Sequence, residues 1–434
     1  MTQLTKNIQQ TNSNNQEIKA AEDQNYQAAF EYHQQRAAKS HPESVYHLAK
    51  HYEEGAGVEQ NYSKAFRYYH KAAQLGFTQA LVDLGYYYIY GIGVKKDSKK
   101  AKRFFKRAAK KGDDYGYLNL GIIFQNGVDC KKNIFKSVYY LKKAAKMGNT
   151  QALYLTGLAY IQHQEFNSRK KRMGFQFVKK AARKEHPPAL CYLGCLYYYG
   201  QLVKQNPEKA ANFWEKAAQY EHPDALYNLG LIYEEGVVLE KDLDKALGLW
   251  KKAAEYMQTE AMLKLADYLL EGKFVEQDVD KAVEYYEKAG HLGYPQAFSK
   301  LGACYLMGFA VKKDEKKANE YLNLAAKLGD STALSLKGKL MVENSEKPEE
   351  IIQGIKILEK VSNKNVQFAA ATLANNYLSG EKTEKDLEKG MKYMGMVNDE
   401  HAQSLVQYYE DNKEKFKNGK IQHFSINLEN LVSG

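Results

Sequence analysis

Within blocks of about a dozen residues, apolar positions along this chain recur three and four places apart, and the blocks themselves return every 36 residues. One block has the form A-L-x-x-L-G-x-x-Y, with first positions at Ser44, Ala80, Gly116, Ala152, Ala189, Ala225, Ala261, Ala297, Ala333, Ala369 and Ala402. The step is 36 residues, with one of 37 and a last of 33. Ala80, Leu84 and Tyr88 stand four apart and stack on one stripe with Gly85 beside them, which predicts a helix, here helix A. A second block appears as AFRYYHKAA from Ala65, AKRFFKRAA from Ala101, ALGLWKKAA from Ala246 and AVEYYEKAG from Ala282. Its stripe pairs small residues with bulky ones (Ala65, Tyr68, Tyr69, Ala72) and predicts helix B.

Helix A commonly ends at glycine (Gly55, Gly91, Gly200, Gly236, Gly272, Gly308, Gly380), which takes a left-handed cap without a side-chain clash. Helix B often closes at Gly76, Gly293 or Gly329. The ninth position of helix A is large in nearly every copy, as in Tyr52, Tyr88, Phe124, Tyr160, Tyr197, Tyr233 and Tyr305, so much of the excess in the 35 tyrosines is repeat core. Neither helix can bury its stripe alone, so each pair must stack on its neighbours, and a single array displaces the alternative of several globular domains.

The period and the strings ALYNLGLIYEEG from Ala225, ALVDLGYYYIYGIGVKKD from Ala80 and KAFRYYHKAAQLG from Lys64 resemble Sel1-like repeats over roughly residues 25 to 410. Tetratricopeptide repeats share the helix-pair plan at a shorter period of about 34 residues. The G-x-G-V loop, seen as Gly55-Ala56-Gly57-Val58 and Gly91-Ile92-Gly93-Val94, points to Sel1-like units instead. The resemblance implies an all-α fold, an α/α right-handed superhelix (solenoid) of about ten to eleven 36-residue helix-turn-helix repeats spanning residues 23–412. Residues 1–22 are then a polar, disordered N-terminal segment and 413–434 a tail or cap, with Ile421 to Leu431 placed to cover the last helix layer. Two copies depart from the pattern. Near Gln164 the loop glycine is missing and Arg169 to Arg172 precede helix B; Asn344 to Glu350 replace the glycine loop with a Pro-containing stretch.

Four cysteines (Cys130, Cys191, Cys195, Cys304) show no zinc or disulfide-ladder spacing, and the paired cysteines of Cys-rich family members are missing. With no apolar signal-peptide core and no long apolar stretch, the expectation is a cytoplasmic monomer, with export lacking a cleavable signal left open. Histidines occur singly, and His41, His186 and His222 precede proline or a Pro-containing turn, where a turn role outweighs metal ligation. No P-loop, dinucleotide fingerprint, H-E-x-x-H or G-x-S-x-G occurs, so no enzyme, metal or cofactor is expected.

The resemblance implies a non-enzymatic scaffold that binds a peptide or protein on a concave surface lined by helix A. The non-core third, seventh, tenth and eleventh positions supply the candidates Glu53, Glu54, Tyr90, Tyr154, Tyr198, Tyr199, Tyr227, Glu234 and Glu235. Charge adds a second reading. Net charge is +11, yet residues 95–184 hold 24 Lys and Arg against 5 Asp and Glu, leaving the remainder at −8. On helix B, Lys99, Lys100, Arg103, Lys106, Arg107 and Lys110 surround Phe104 and Phe105, both expected to be buried. Such a face suits anionic lipid, an acidic protein or another polyanion; without a recognisable module or stacking platform, direct nucleic-acid binding is disfavoured. A secreted host-interacting effector is a further alternative, since the family is frequent in intracellular bacteria and protists.

Overall fold

The structure, a computed structural model, describes residues 26–272, 274–363, 367–398 and 400–417. The expected N-terminal segment 1–22 and the Ile421 to Leu431 cap lie outside the described residues. The chain divides into two compact units, Met1–Tyr220 and Glu221–Gly434. All 22 regular elements among the described residues are α-helices.

Unit 1 contains α1 (Tyr26–Ala38), α2 (Pro42–Glu54), α3 (Tyr62–Gln74), α4 (Gln79–Tyr90), α5 (Ser98–Lys110) and α6 (Asp114–Asn126). It continues with α7 (Ile134–Lys146), α8 (Thr150–Gln162), α9 (Ser168–Ala182), α10 (Pro187–Tyr198) and α11 (Pro207–Ala218). Unit 2 contains α12 (Pro223–Glu235), α13 (Leu243–Glu255), α14 (Thr259–Glu271), α15 (Val279–His291), α16 (Pro295–Met307) and α17 (Glu315–Lys327). It ends with α18 (Ser331–Asn344), α19 (Pro348–Ser362), α20 (Gln367–Ser379), α21 (Leu387–Met394) and α22 (Glu400–Lys417). Even-numbered helices are helix A and odd-numbered ones helix B. Within each unit a helix packs chiefly on its sequence neighbours, the nearest-neighbour stacking of an α-solenoid.

One joint recurs in most pairs. In α4–α5, Asp97 caps α5: its carboxylate accepts the Lys100 N–H at 2.9 Å, and its own N–H donates to the Tyr88 carbonyl at 2.9 Å. The Lys100 ammonium lies 5.3 Å from the centre of the Tyr88 ring, and that ring stacks on Phe104 at 5.6 Å. Asn61, Lys64, Tyr52 and Tyr68 repeat the set one copy earlier, and Asn133, Lys136, Phe124 and Tyr140 one copy later. In unit 2 it recurs as Asp314, Lys317, Tyr305 and Tyr321, and as Asp386, Lys389, Tyr377 and Tyr393. Phe104 is therefore half-buried, not buried as expected, because its ring serves this stack and the Arg107 guanidinium 5.4 Å away; Phe105 is the buried member.

The degenerate copies treat the joint differently. α8 leaves the helix at His163 in extended conformation instead of through glycine, yet Asn167 still caps Lys170 and Lys170 still lies 5.6 Å from the Tyr160 ring. Phe166 fills the gap, edge-on to Tyr160 at 4.9 Å. α19 begins at Pro348 with no side-chain cap, and Met341 stands where the ring would be.

In most copies a glycine of helix A leaves room for a helix-B side chain that an added Cβ would meet. A Cβ on Gly230 would lie 2.3 Å from the Trp250 indole nitrogen, which donates to the Tyr227 carbonyl at 3.1 Å. Gly230→Ala is expected to cost about 2 kcal/mol by overpacking. Gly248→Ala, exposed on α13 with nothing within 4 Å of the added carbon, should gain about 0.5–1 kcal/mol. Urea unfolding of the two variants against the parent checks the opposite signs.

Candidate functional site

The polar residues of helix A bond to helix B of their own pair and to the neighbouring helix A. In unit 1 the Glu53 carboxylate on α2 accepts from the Tyr69 hydroxyl at 2.7 Å and pairs with Lys50 at 2.7 Å. Asp83 on α4 faces Tyr46 and Lys50, with Oδ2 lacking a hydrogen-bond partner. Burial lifts the Asp83 carboxyl to about 6, against the opposing pull of Lys50 and the Tyr46 hydroxyl. Burial first, and then the Asp83 and Glu53 carboxylates, push the Tyr46, Tyr69 and Tyr87 phenols above their ordinary range. One repeat on, Asn119 donates to the Tyr86 hydroxyl at 3.0 Å. Unit 2 builds its own ladder: Glu234 on α12 accepts from Lys264 at 2.8 Å and from Tyr268 at 2.6 Å, and Asp267 accepts from Lys300 at 2.7 Å and from Tyr286.

Glu53 and Glu234 are thus already engaged between helices. Tyr154 is half-buried against His186 and Tyr192, Tyr198 against Trp214 and Tyr199, and half-buried Tyr227 lends its carbonyl to Trp250. Glu54, Tyr90, Tyr199 and Glu235 remain exposed, all at the eleventh position of helix A. Tyr90 is 69% and Tyr199 66% exposed, so neither is repeat core. Sequence reasoning passed over Asn126 and Gln162, which occupy the same exposed row in unit 1; their signal was position in the repeat, not residue type.

Lys99, Lys100, Arg103, Lys106, Arg107 and Lys110 are all exposed on α5. Histidines that stand apart in the sequence do meet. His33 on α1 stacks on His47 at 4.7 Å and tilts against His51 at 5.5 Å, which corrects the solitary reading. Burial, then His47 and His51, push His33 down to about 3, so it is neutral in the fold. His41 accepts the Ser44 N–H as the cap of α2, a turn role as expected. Cys130, Cys191, Cys195 and Cys304 form no disulfide, and among the described residues no His, Cys, Asp or Glu group is arranged to hold a metal ion. No described helix is long and apolar enough to cross a membrane.

The Sel1 repeat family model matches nine stretches: 21–41, 42–77, 78–113, 114–149, 187–219, 223–255, 259–294, 296–330 and 367–396. The chain belongs to the Sel1-repeat family. The unmatched intervals hold the two copies whose loops depart from the pattern. Among solved structures, this Sel1-repeat chain is similar to c5321, a protective antigen of uropathogenic Escherichia coli with an SLR fold, at 25% identity and a TM-score of 0.60, covering 88% of this chain and 82% of that one. It is also similar to a Sel1 repeat protein of Oxalobacter formigenes, at 27% identity and a TM-score of 0.50, covering 71% and 89% of the two chains. No curated protein matches the sequence. Sel1-repeat proteins are generally non-enzymatic scaffolds that mediate protein–protein interaction.

Asp83 supplies a test of the helix-A ladder. Its carboxyl binds a proton more tightly in the fold than in the unfolded chain, where its value is about 4, so stability falls as pH rises from about 4 through 6. Asp83→Asn should therefore raise the stability of unit 1 at neutral pH by on the order of 2 kcal/mol. The gain should vanish below about pH 4; thermal unfolding at both pH values reads the difference.

Proposed function

We propose that this chain is a non-enzymatic scaffold whose helix-A side holds a protein or peptide partner, with Tyr90 and Tyr199 as its main anchors in unit 1. The observation that carries this reading is their exposure at one repeat position, while the other tyrosines of the candidate set are half-buried against neighbouring side chains. An exposed tyrosine offers a large apolar face and a hydroxyl at small entropic cost, which suits it to recognition. Glu54 lies in the same row, giving that rim an acidic end. Glu53 and Glu234 are support for the helix array, and Tyr154 and Tyr198 shape the surface of unit 1 beside the anchors. A cytoplasmic setting, where the four thiols stay reduced, belongs to the same reading.

Tyr90→Ala and Tyr199→Ala leave the core untouched, so the variants should unfold at the parent's temperature. Each is expected to weaken partner capture about tenfold or more, the scale of an interface anchor. Capture measured by quantitative pull-down and unchanged in the double variant would remove the helix-A row as the binding surface.

A further inference from the structure

The helix-B side of unit 1 carries a pattern that the scaffold reading does not use. On α7, Phe135, Tyr139, Lys142 and Lys146 fall on one stripe, spaced four, three and four residues apart, while Ser137, Val138, Leu141, Ala144 and Ala145 face the core. Phe135 is 61% and Tyr139 54% exposed. One copy earlier the same register on α5 reads Lys99, Arg103, Lys106, Lys110; one copy later on α9 it reads Arg172, Gln176, Lys179, Arg183. Two exposed rings therefore sit at the middle of three stripes, flanked on both sides by cations. The register is not basic by default: it carries Glu208, Asn212, Glu215 and Gln219 on α11, and Asp280, Glu284, Glu287 and His291 on α15.

These cations have little internal use. Among the described residues, the ion pairs involving the three helices reduce to Lys100 with Asp97 at 3.9 Å, and none of the stripe cations takes part in one. Both rings already have neighbours within the fold. The Lys143 ammonium lies 4.7 Å from the centre of the Tyr139 ring, and Phe135 meets the buried Phe166 edge to face at 5.6 Å. What remains outermost is apolar ring bordered by ammonium and guanidinium groups, the chemistry of a polypeptide lying at the headgroup level of an anionic bilayer.

We propose that this helix-B face docks unit 1 peripherally on an anionic lipid surface, Phe135 and Tyr139 entering the headgroup layer and the α5 and α9 cations pairing with lipid phosphates and carboxylates. Lipid is favoured over an acidic protein because the three stripes spread single charges around an exposed apolar centre, which suits a fluid layer of anionic headgroups. It is favoured over nucleic acid because the Tyr139 ring already carries an ammonium.

The test is co-sedimentation of the full chain with vesicles of phosphatidylcholine alone and of phosphatidylcholine mixed with phosphatidylserine, alongside single-stranded poly(U) RNA as competitor. The expected result is retention on the mixed vesicles only, present at about 0.1 M salt and lost at about 1 M. Phe135→Ser with Tyr139→Ser should weaken vesicle affinity about tenfold, since binding scales with the apolar area inserted. Arg103→Glu with Lys106→Glu should abolish it. All four positions are exposed, and matching thermal unfolding of each double variant with the parent establishes that the fold is kept. No retention on the mixed vesicles overturns the proposal. So does retention indifferent to the loss of both rings, or binding to RNA that is tighter than to vesicles and weakened by the same ring substitutions, which would make the face a nucleic-acid surface.

Discussion

The structure depends on a joint of four groups: an Asn or Asp at the start of helix B, the lysine three residues on, an aromatic ring near the end of helix A, and a second ring on helix B. The Asx side chain satisfies an otherwise orphaned N–H of helix B while its own N–H holds the carbonyl of the ring-bearing residue, so one residue fixes both the cap and the loop. The lysine is then pinned above the ring it caps. Each interaction is modest, on the order of 1 kcal/mol. Repetition along an array in which every pair contacts only its neighbours makes them sum.

That joint determines which residues are left for a partner. Aromatics at the ninth position are consumed by it, and carboxylates at the tenth position are consumed by bonds between helices, Glu53 to helix B of its own pair and Glu234 to the next helix A. Tyr90 and Tyr199, one residue further on, take part in neither and stay exposed past the last packed turn. On the other side, helix B buries its alanines and one ring and leaves its outer stripe free of packing demands, so its composition can change from basic on α5 to acidic on α15 without disturbing the fold.

Most of the architecture is legible in the sequence because the repeat averages over local noise: the glycines Gly55, Gly91 and Gly236 announce the left-handed caps that the structure contains, at φ of 75°, 74° and 70°. The irregular copy at Gln164 is legible as a departure, but not its remedy, since Phe166 gives no sign in sequence that it will fill the missing loop. The histidine cluster is hidden because His33 lies 14 residues from His47 and on a different helix. The candidate set is harder still. Tyr90 and Tyr154 look alike in the sequence, and only the stacking of one repeat on the next decides which ring is covered.

The scaffold reading is tested most directly by placing a photoreactive phenylalanine analogue at position 90, at position 199 and, for comparison, at the joint position 88, and irradiating living cells that express the chain. The account predicts that positions 90 and 199 cross-link to the same protein and that position 88, sealed between Lys100 and Phe104, gives no intermolecular product. Intermolecular products absent from both 90 and 199 would contradict it.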